Sequence, residues 1–246
     1  MIYESVNIPL WRNLRHLSGL RILDIGCGTG ALGDLLQKNG NQVDGITNSQ
    51  EELVVASKRL QRVCFIDLND YAAIRSQIKD SYDILILAGV LEHLVNPQEV
   101  LKLFDRNLRG GGRIYISVPN VACFYVRLGL LMGRFDPLEG GGILDKTHLH
   151  HYTLKTAKQM IAEAGLGIEK VDFMPGISVW VYQQFLKNRS VDTDREMAAR
   201  KDFQFYEQYV YSVERSVTSI WKCMFANEYQ FVCRRQGDPV SDSSLL

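Results

Sequence analysis

The stretch RILDIGCGTGALG, residues 21–33, decides the fold. A short apolar run that carries one acid, Asp24, leads into a loop with four glycines at positions 26, 28, 30 and 33. Glycine accepts backbone conformations that other residues avoid and allows a close approach to the main chain. An apolar strand that ends in such a loop and continues into a helix is typical of nucleotide-binding α/β proteins. We therefore expect a ligand to lie against this loop.

The glycine spacing fits two kinds of ligand. Gly26-x-Gly28-x-x-Ala31 formally matches a dinucleotide fingerprint, in which a helix N-terminus receives a pyrophosphate. Asp24 argues against that interpretation, because a carboxylate beside the loop would repel a pyrophosphate. It would favour a ligand that carries an ammonium group, such as the methionine end of S-adenosylmethionine.

Apolar strands alternate with amphipathic helices through the first two thirds of the chain. The predicted strands are 20–25, 42–47, 63–67, 82–88 and 113–118, and the predicted helices are 29–39, 50–61, 70–79 and 97–108. This alternation predicts a parallel sheet with helices on both faces.

The regular alternation of strands and helices ends after Pro119. A helix over 153–165, a sixth strand over 166–173 and a final strand over about 225–233 are predicted, with helical insertions at about 121–150 and 177–221. We predict one α/β domain over 1–235, a doubly wound, mostly parallel, seven-stranded Rossmann-like sheet whose last strand is antiparallel. The polar tail, 236–246, is expected to be disordered.

Composition narrows the choice of partners and compartment. Among 246 residues, 28 are Lys or Arg and 28 are Asp or Glu, so the net charge is zero. A nucleic-acid-binding protein usually carries a basic excess, which argues against such a partner. The chain shows no signal peptide and no apolar run of spanning length, and its five scattered cysteines form no C-x-x-C pair. These features predict a cytoplasmic protein with reduced core cysteines and no membrane partner.

Three motifs together resemble a known family. ILDIGCGTG, YDILILAGVLEHLVNP and LRGGGRIYISVPN follow the order and spacing of the class I S-adenosylmethionine-dependent methyltransferase core, over about residues 15–173. SVPN followed by GILDKTHLHHYT is similar to a bacterial branch often associated with methylation of surface sugars and small metabolites. The resemblance implies a methyltransferase with S-adenosylmethionine as its cofactor.

The resemblance also implies the cofactor contacts. The methionine portion would lie on Asp24, Gly26, Cys27, Gly28 and Gly30. Thr47, followed by Asn48, stands where the family usually has an acid that binds both ribose hydroxyls, and Glu51 or Glu52 could supply the missing carboxylate.

The adenine contacts are implied at two further strand ends. Asp67 would bind the adenine amino group with Leu68 beside the ring, although an isolated Asp after a strand also suits a helix cap. The carbonyl of Ala88 would face the ligand, with His93 nearby.

Histidines are concentrated in two short segments, VLEHL and DKTHLHHYT. A general base near neutral pKa assists methyl transfer to a hydroxyl, and histidine has that property. We predict that His148 or His93 is this base and that Asp145 or Glu92 orients it. The alternative is structural, with Glu92 as a cap and His93 pointing to solvent.

A metal-assisted mechanism is a second alternative. Glu92, His93 and His148 could bind a divalent ion, as the resemblance to small-RNA 2′-O-methyltransferases suggests. Those enzymes carry a further Glu at the position of Gly89. The interpretation that we adopt uses no metal.

We therefore predict O-methylation of a sugar or secondary-metabolite hydroxyl. RNA 2′-O-methylation, N- or C-methylation and a non-catalytic S-adenosylmethionine-binding module stay open. The aromatic stripe over 203–211 is typical of a core or a dimer face, and in the second case the chain would form a homodimer through its C-terminal helices.

Overall fold

The computed structural model describes residues 7–137, 142–176, 205 and 209–238. In this part of the chain, seven strands form one sheet in the order β3-β2-β1-β4-β5-β7-β6. The strands are β1 Arg21–Ile25, β2 Gln42–Thr47, β3 Arg62–Phe65, β4 Tyr82–Ala88, β5 Leu108–Pro119, β6 Leu166–Pro175 and β7 Ala226–Arg235. The first five run parallel, and β7 is antiparallel to both of its neighbours. The predicted antiparallel last strand is confirmed, and the parallel doubly wound description holds only up to the β6–β7 edge.

Helices pack on both faces of this sheet. They are α1 Ile8–Leu14, α2 Ala31–Lys38, α3 Gln50–Ala56, α4 Tyr71–Gln77, α5 Pro97–Asp105, α6 Phe124–Leu131, α7 Leu154–Glu163, α8 Tyr211–Ile220 and α9 Lys222–Phe225. Successive strand residues face opposite sides. In β4, Ile84 and Ile86 join the core beneath α1 and α2, whereas Leu85 and Leu87 join the core beneath α4, α5 and α7.

The glycine run 110–112 lies inside a strand, where the sequence suggested the end of a helix. Helix α5 stops at Asp105, and the Asn107 side chain donates to the carbonyls of Ile78 and Asp80, at 3.2 and 2.8 Å. A Cβ at Gly112 would lie 2.8 Å from the Asp83 carbonyl oxygen. Gly112 therefore lets β5 approach β4 at an irregular point in their pairing, which local periodicity does not reveal.

The insertions match the prediction in part. The segment 121–150 contains α6, and its described remainder is turns and irregular chain. Helix α8 lies in the predicted region 177–221, of which 177–204 and 206–208 fall outside the described residues, as does the tail from 239 onward.

Phe205 and Tyr209 are more than half exposed, so they are not core residues, and the dimer face stays a prediction. All five cysteines are free, but Cys223 is exposed and is not a core residue.

The four glycines of the first loop serve different purposes. Gly26, Gly28 and Gly30 have φ values of +75°, +52° and +75°, which L side chains rarely adopt. A Cβ at Gly26 would also lie 2.4 Å from Val90 Cγ2. Gly33 lies in α2, where a Cβ would fall 2.5 Å from Leu60 Cδ2, so its role is helix packing and not ligand approach.

Gly26→Ala is expected to lower the free energy of unfolding by about 2–4 kcal/mol, the sum of backbone strain and a steric clash. Gly19→Ala is the matched control, because Gly19 has φ +73° and an added Cβ there would meet nothing within 4 Å. It should lose only about 1–2 kcal/mol, the strain alone. Urea denaturation measures both, and equal losses would show that Val90 simply moves aside.

Candidate functional site

The candidate site lies at the carboxyl edge of the sheet, between β1 and β4. These strands are neighbours, and the chain leaves them to opposite sides, which opens a crevice where α/β proteins bind ligands. The loop after β1 is tied to β2, because the backbone amides of Gly26 and Cys27 both donate to the Ile46 carbonyl at 2.9 Å. Gly26 is exposed and Gly28 is half-buried, whereas Gly30 is buried at the start of α2.

Asp24 lies at the floor of this crevice. It sits in the middle of the sheet, with Gly45 and Ile86 as its partners in register on β2 and β4, and it is only 3% exposed. Burial raises the pKa of Asp24 to about 7. A carboxyl in this state gains most from a cationic partner, which would stabilise its ionised form.

A carboxylate from the first turn of α3 lies against Thr47 at the end of β2. Thr47 Oγ1 donates to Glu52 Oε2 at 2.7 Å, and both residues are buried. Ser49 caps α3, and its amide donates to Thr47 Oγ1 at 3.1 Å. Of the two predicted candidates, Glu52 is the residue brought to Thr47, whereas Glu51 is exposed, as is Asn48.

The residues after β3 and β4 are placed as follows. Asp67 is exposed, and its Oδ1 accepts from the amide of Asn69 at 2.9 Å. The cap of α4 is Asp70, so the helix-cap alternative for Asp67 is wrong. Leu68 is buried in the core, and Ala88 ends β4 with partial exposure.

His93 lies in a single 3-10 turn, Leu91–His93, directly after β4. Its Nδ1 is 3.0 Å from Thr147 Oγ1 and 3.3 Å from the Thr147 carbonyl oxygen. A carbonyl only accepts hydrogen bonds, so the proton is on Nδ1 and Nε2 keeps its lone pair. Burial lowers the pKa of His93 below its ordinary value, against opposing contributions from the Thr147 carbonyl and Asp145.

Asp145 reaches His93 through Thr147. The buried Asp145 Oδ1 accepts from both the amide and the hydroxyl of Thr147, at 2.7 and 2.6 Å. His148 donates from Nδ1 to the Ile143 carbonyl at 3.1 Å, and its ring centroid is 4.7 Å from that of His93. The two histidine rings therefore lie side by side, and the Thr147 hydroxyl connects Asp145 to His93. Sequence reasoning missed Thr147, although D-x-T is a local turn pattern that could have suggested it.

The two histidine segments are locked together by Glu92. Its backbone carbonyl accepts from the amides of Leu149 and His150, at 2.8 and 3.1 Å. Its side chain is 3% exposed, and Oε2 has no hydrogen-bond partner among the residues that the structure describes. Burial raises the pKa of Glu92 to about 8. This side chain is not in the relay that orients His93.

Glu92, His93 and His148 each offer one ligand atom, and these atoms lie within 4.8 Å of one another. A Cβ at Gly89 would lie 3.7 Å from Glu92 Oε1, so a longer side chain there would enter the same centre. Two imidazoles and a buried carboxyl fit a divalent ion such as zinc or manganese, with three ligands from the described residues.

One further acid at this edge was not anticipated. Glu228, near the start of β7, is partly buried, and its Oε1 accepts from Asn7 Nδ2 at 2.8 Å. Because β7 is antiparallel, its first residues reach the carboxyl edge of β5, where Glu228 pairs with Pro119. Its charge contributes to the raised pKa of Glu92.

Comparison with known proteins identifies the family to which this chain belongs. The profile of the family described as "Methyltransferase domain" matches residues 9–171, which include the glycine loop and both histidine segments. The chain belongs to this family. It carries a class I methyltransferase domain, whose cofactor is S-adenosylmethionine.

Individual relatives agree with this assignment. The chain is 37% identical to the ubiquinone biosynthesis O-methyltransferase of Aeromonas salmonicida over 107 residues, 42% of this chain and 45% of that protein. It is 32% identical to the enzyme of the same name from Burkholderia vietnamiensis over 159 residues, 57% of this chain and 68% of that one. The chain thus spans less than half of the Aeromonas relative.

The fold has close counterparts among solved structures. A SAM-dependent methyltransferase from Archaeoglobus fulgidus superposes with a TM-score of 0.58 at 16% identity, covering 93% of this chain and 90% of that one. At this identity the likeness shows the fold alone. Among the described residues, no helix combines the length and apolar character needed to cross a bilayer.

Proposed function

We propose that this protein transfers the methyl group of S-adenosylmethionine to a hydroxyl of a small molecule, and that His93 is the general base. The observation that carries the proposal is the tautomer of His93. Its Nδ1 is engaged by Thr147, so Nε2 is a proton acceptor at the crevice. The relatives named O-methyltransferases support oxygen as the acceptor atom.

In this proposal some residues bind the cofactor and another accepts the proton of the acceptor hydroxyl. Asp24 binds the ammonium of the cofactor, the loop at Gly28 and Gly30 accommodates its methionine end, and Thr47 with Glu52 binds the ribose. The acceptor oxygen attacks the methyl carbon in line with the departing sulfur, which leaves as a neutral thioether. The hydroxyl proton passes to His93 Nε2, and the protein contributes mainly alignment and exclusion of water.

His93 is preferred to His148 because of its second partner. His93 is linked to the Asp145 carboxylate through the Thr147 hydroxyl. His148 is held by the Ile143 carbonyl; burial and the neighbouring His93 lower its pKa, whereas that carbonyl and Asp145 raise it. Asp145 acts on both rings, so our preference for His93 rests on the hydrogen-bonded connection through Thr147.

The acceptor class that we propose is a hydroxyl on a sugar or secondary metabolite. The test uses S-adenosylmethionine with a ¹³C-labelled methyl group, offered with panels of sugars, phenols and matched amines. An O-methyl signal in the product supports the proposal, and an N- or C-methyl product overturns it. Calorimetric binding of the cofactor without turnover of any panel or cell extract would identify a non-catalytic binding module.

A metal-assisted form of the same reaction is the second candidate, favoured by the cluster of Glu92, His93 and His148. A divalent ion there would lower the pKa of the acceptor hydroxyl. The buried Glu92 Oε2, which finds no hydrogen-bond partner in the described part of the chain, suits such a ligand.

If this candidate is correct, chelator-treated protein should lose turnover and regain it with Mg²⁺, Mn²⁺ or Zn²⁺. Glu92→Gln should weaken ion binding by about 10-fold or more in calorimetry, since it removes the only carboxylate of the set. Full activity of the chelated protein would exclude this candidate and leave the histidine base.

A further inference from the structure

We propose that Thr147 is the positioning residue of this site, which fixes the tautomer of His93 and connects it to Asp145. The inference rests on the proposed function and extends it to a side chain within GILDKTHLHHYT to which the sequence analysis assigned no role. Thr147 lies 54 positions from His93 in the chain. It would act on the reaction only through that histidine.

The direction of each hydrogen bond follows from the acceptors. Asp145 Oδ1 accepts two hydrogen bonds, from the amide and the hydroxyl of Thr147. The hydroxyl hydrogen of Thr147 is therefore donated to Asp145 and is not available to His93. Only a lone pair of Oγ1 is left toward His93, 3.0 Å away, so Nδ1 must be the donor.

This arrangement matters for catalysis because a neutral imidazole has one basic nitrogen. With the proton on Nδ1, the lone pair is on Nε2, away from Thr147. If the tautomer were reversed, the basic nitrogen would face Thr147, and His93 could not accept the acceptor's proton. The same hydroxyl also conveys the negative charge of Asp145 to the imidazolium that forms.

The rest of the local structure does not need this hydroxyl. The segment that carries it is already held by the two amides that donate to the Glu92 carbonyl, and by the amide of Thr147 on Asp145. Thr147 is exposed, so substitutions there leave the core unchanged. A loss of activity in a Thr147 variant would therefore be separable from a loss of fold.

Two variants test the proposal. Thr147→Val keeps the branched shape and removes the hydroxyl, whereas Thr147→Ser keeps the hydroxyl. The Val variant should lose about 10- to 100-fold in kcat, the usual effect of removing a partner that orients a histidine. Its KM for the cofactor should stay within about 3-fold, and Ser should restore most of the lost kcat.

A spectroscopic measurement reads the tautomer directly. In protein labelled with ¹⁵N-histidine, His93 should give the pattern of an Nδ1-protonated ring. In Thr147→Val a fraction protonated on Nε2 should appear. The change should be partial, because the Thr147 carbonyl, 3.3 Å from Nδ1, survives the substitution.

The outcomes separate this inference from the proposed function. An unchanged tautomer and unchanged kcat in Thr147→Val would overturn the positioning role. A shifted tautomer, with turnover that does not depend on His93, would support the positioning role and overturn the assignment of the base. Equal losses in the Val and Ser variants would show that the hydroxyl is not responsible.

Discussion

Replacing His93 by glutamine should lower kcat by about two to four orders of magnitude, the usual contribution of a general base. Glutamine keeps a polar side chain of similar reach but cannot accept a proton at neutral pH. The dissociation constant for S-adenosylmethionine should change by less than about 3-fold, because the proposed cofactor contacts lie on Asp24, the glycine loop and Glu52. Single-turnover kinetics and calorimetry measure the two quantities.

His148→Gln is the matched control for this experiment. Its ring lies against that of His93, but it has no hydroxyl relay to Asp145. We expect about a 10-fold loss of kcat, from disturbed packing and acceptor contact. If His148→Gln is the more damaging change, the base is His148 and the relay through Thr147 serves another purpose.

The pH profile gives an independent check of the base. Burial lowers the pKa of His93, and a base must be unprotonated to act. The rate should therefore rise with pH through a pKa that lies below the ordinary value for histidine, and level off above it. This acidic limb should be absent in His93→Gln, and its persistence there would assign it to another group.

The first five strands and the cofactor loop could be predicted from sequence because their signals are local. Each strand is a short apolar run, and the turn with Asp24 and its glycines is one contiguous stretch. The errors in the predicted elements arise because a local signal carries no information about contacts with distant residues. The sequence 110–112 reads as a helix end until its contact with Asp83 on the neighbouring strand is known.

The geometry of the candidate site depends on contacts between distant segments. Choosing between Glu51 and Glu52 requires the phase of α3, which the Ser49 cap sets, and an S-x-x-E pattern could have indicated it. By contrast, no local pattern joins Thr147 to His93 or brings Glu228 on the antiparallel strand to the crevice. The first contact is set by how the loop after α6 folds back onto the turn after β4, and the second by the antiparallel pairing of β7 with β5.

The affinity for S-adenosylmethionine should rise with pH through the pKa of Asp24, which burial raises to about 7 in the free protein. The cofactor's ammonium stabilises the ionised carboxylate, so its pKa is lower in the complex. Below pH 7 binding must also remove a proton from Asp24, and this costs affinity. The association constant should increase by up to about 10-fold per pH unit below 7 and level off above it.

Asp24→Asn should remove both the charge and this pH dependence. The loss of a charged hydrogen bond predicts an affinity about 10- to 100-fold weaker at pH 8, a difference of about 1.5–3 kcal/mol. Calorimetry at pH 6 in buffers of different ionisation enthalpy should show nearly one proton released on binding to the natural protein, and none for Asp24→Asn.

Glu52→Gln is the control for this second measurement, because it removes another buried carboxylate from the proposed cofactor site. It should weaken binding through the lost ribose contact while proton release at pH 6 persists, since Asp24 is intact. Proton release that disappears in Glu52→Gln but persists in Asp24→Asn would place the ammonium group on α3. The carboxylate at the floor of the crevice would then be a structural acid, protonated in both states.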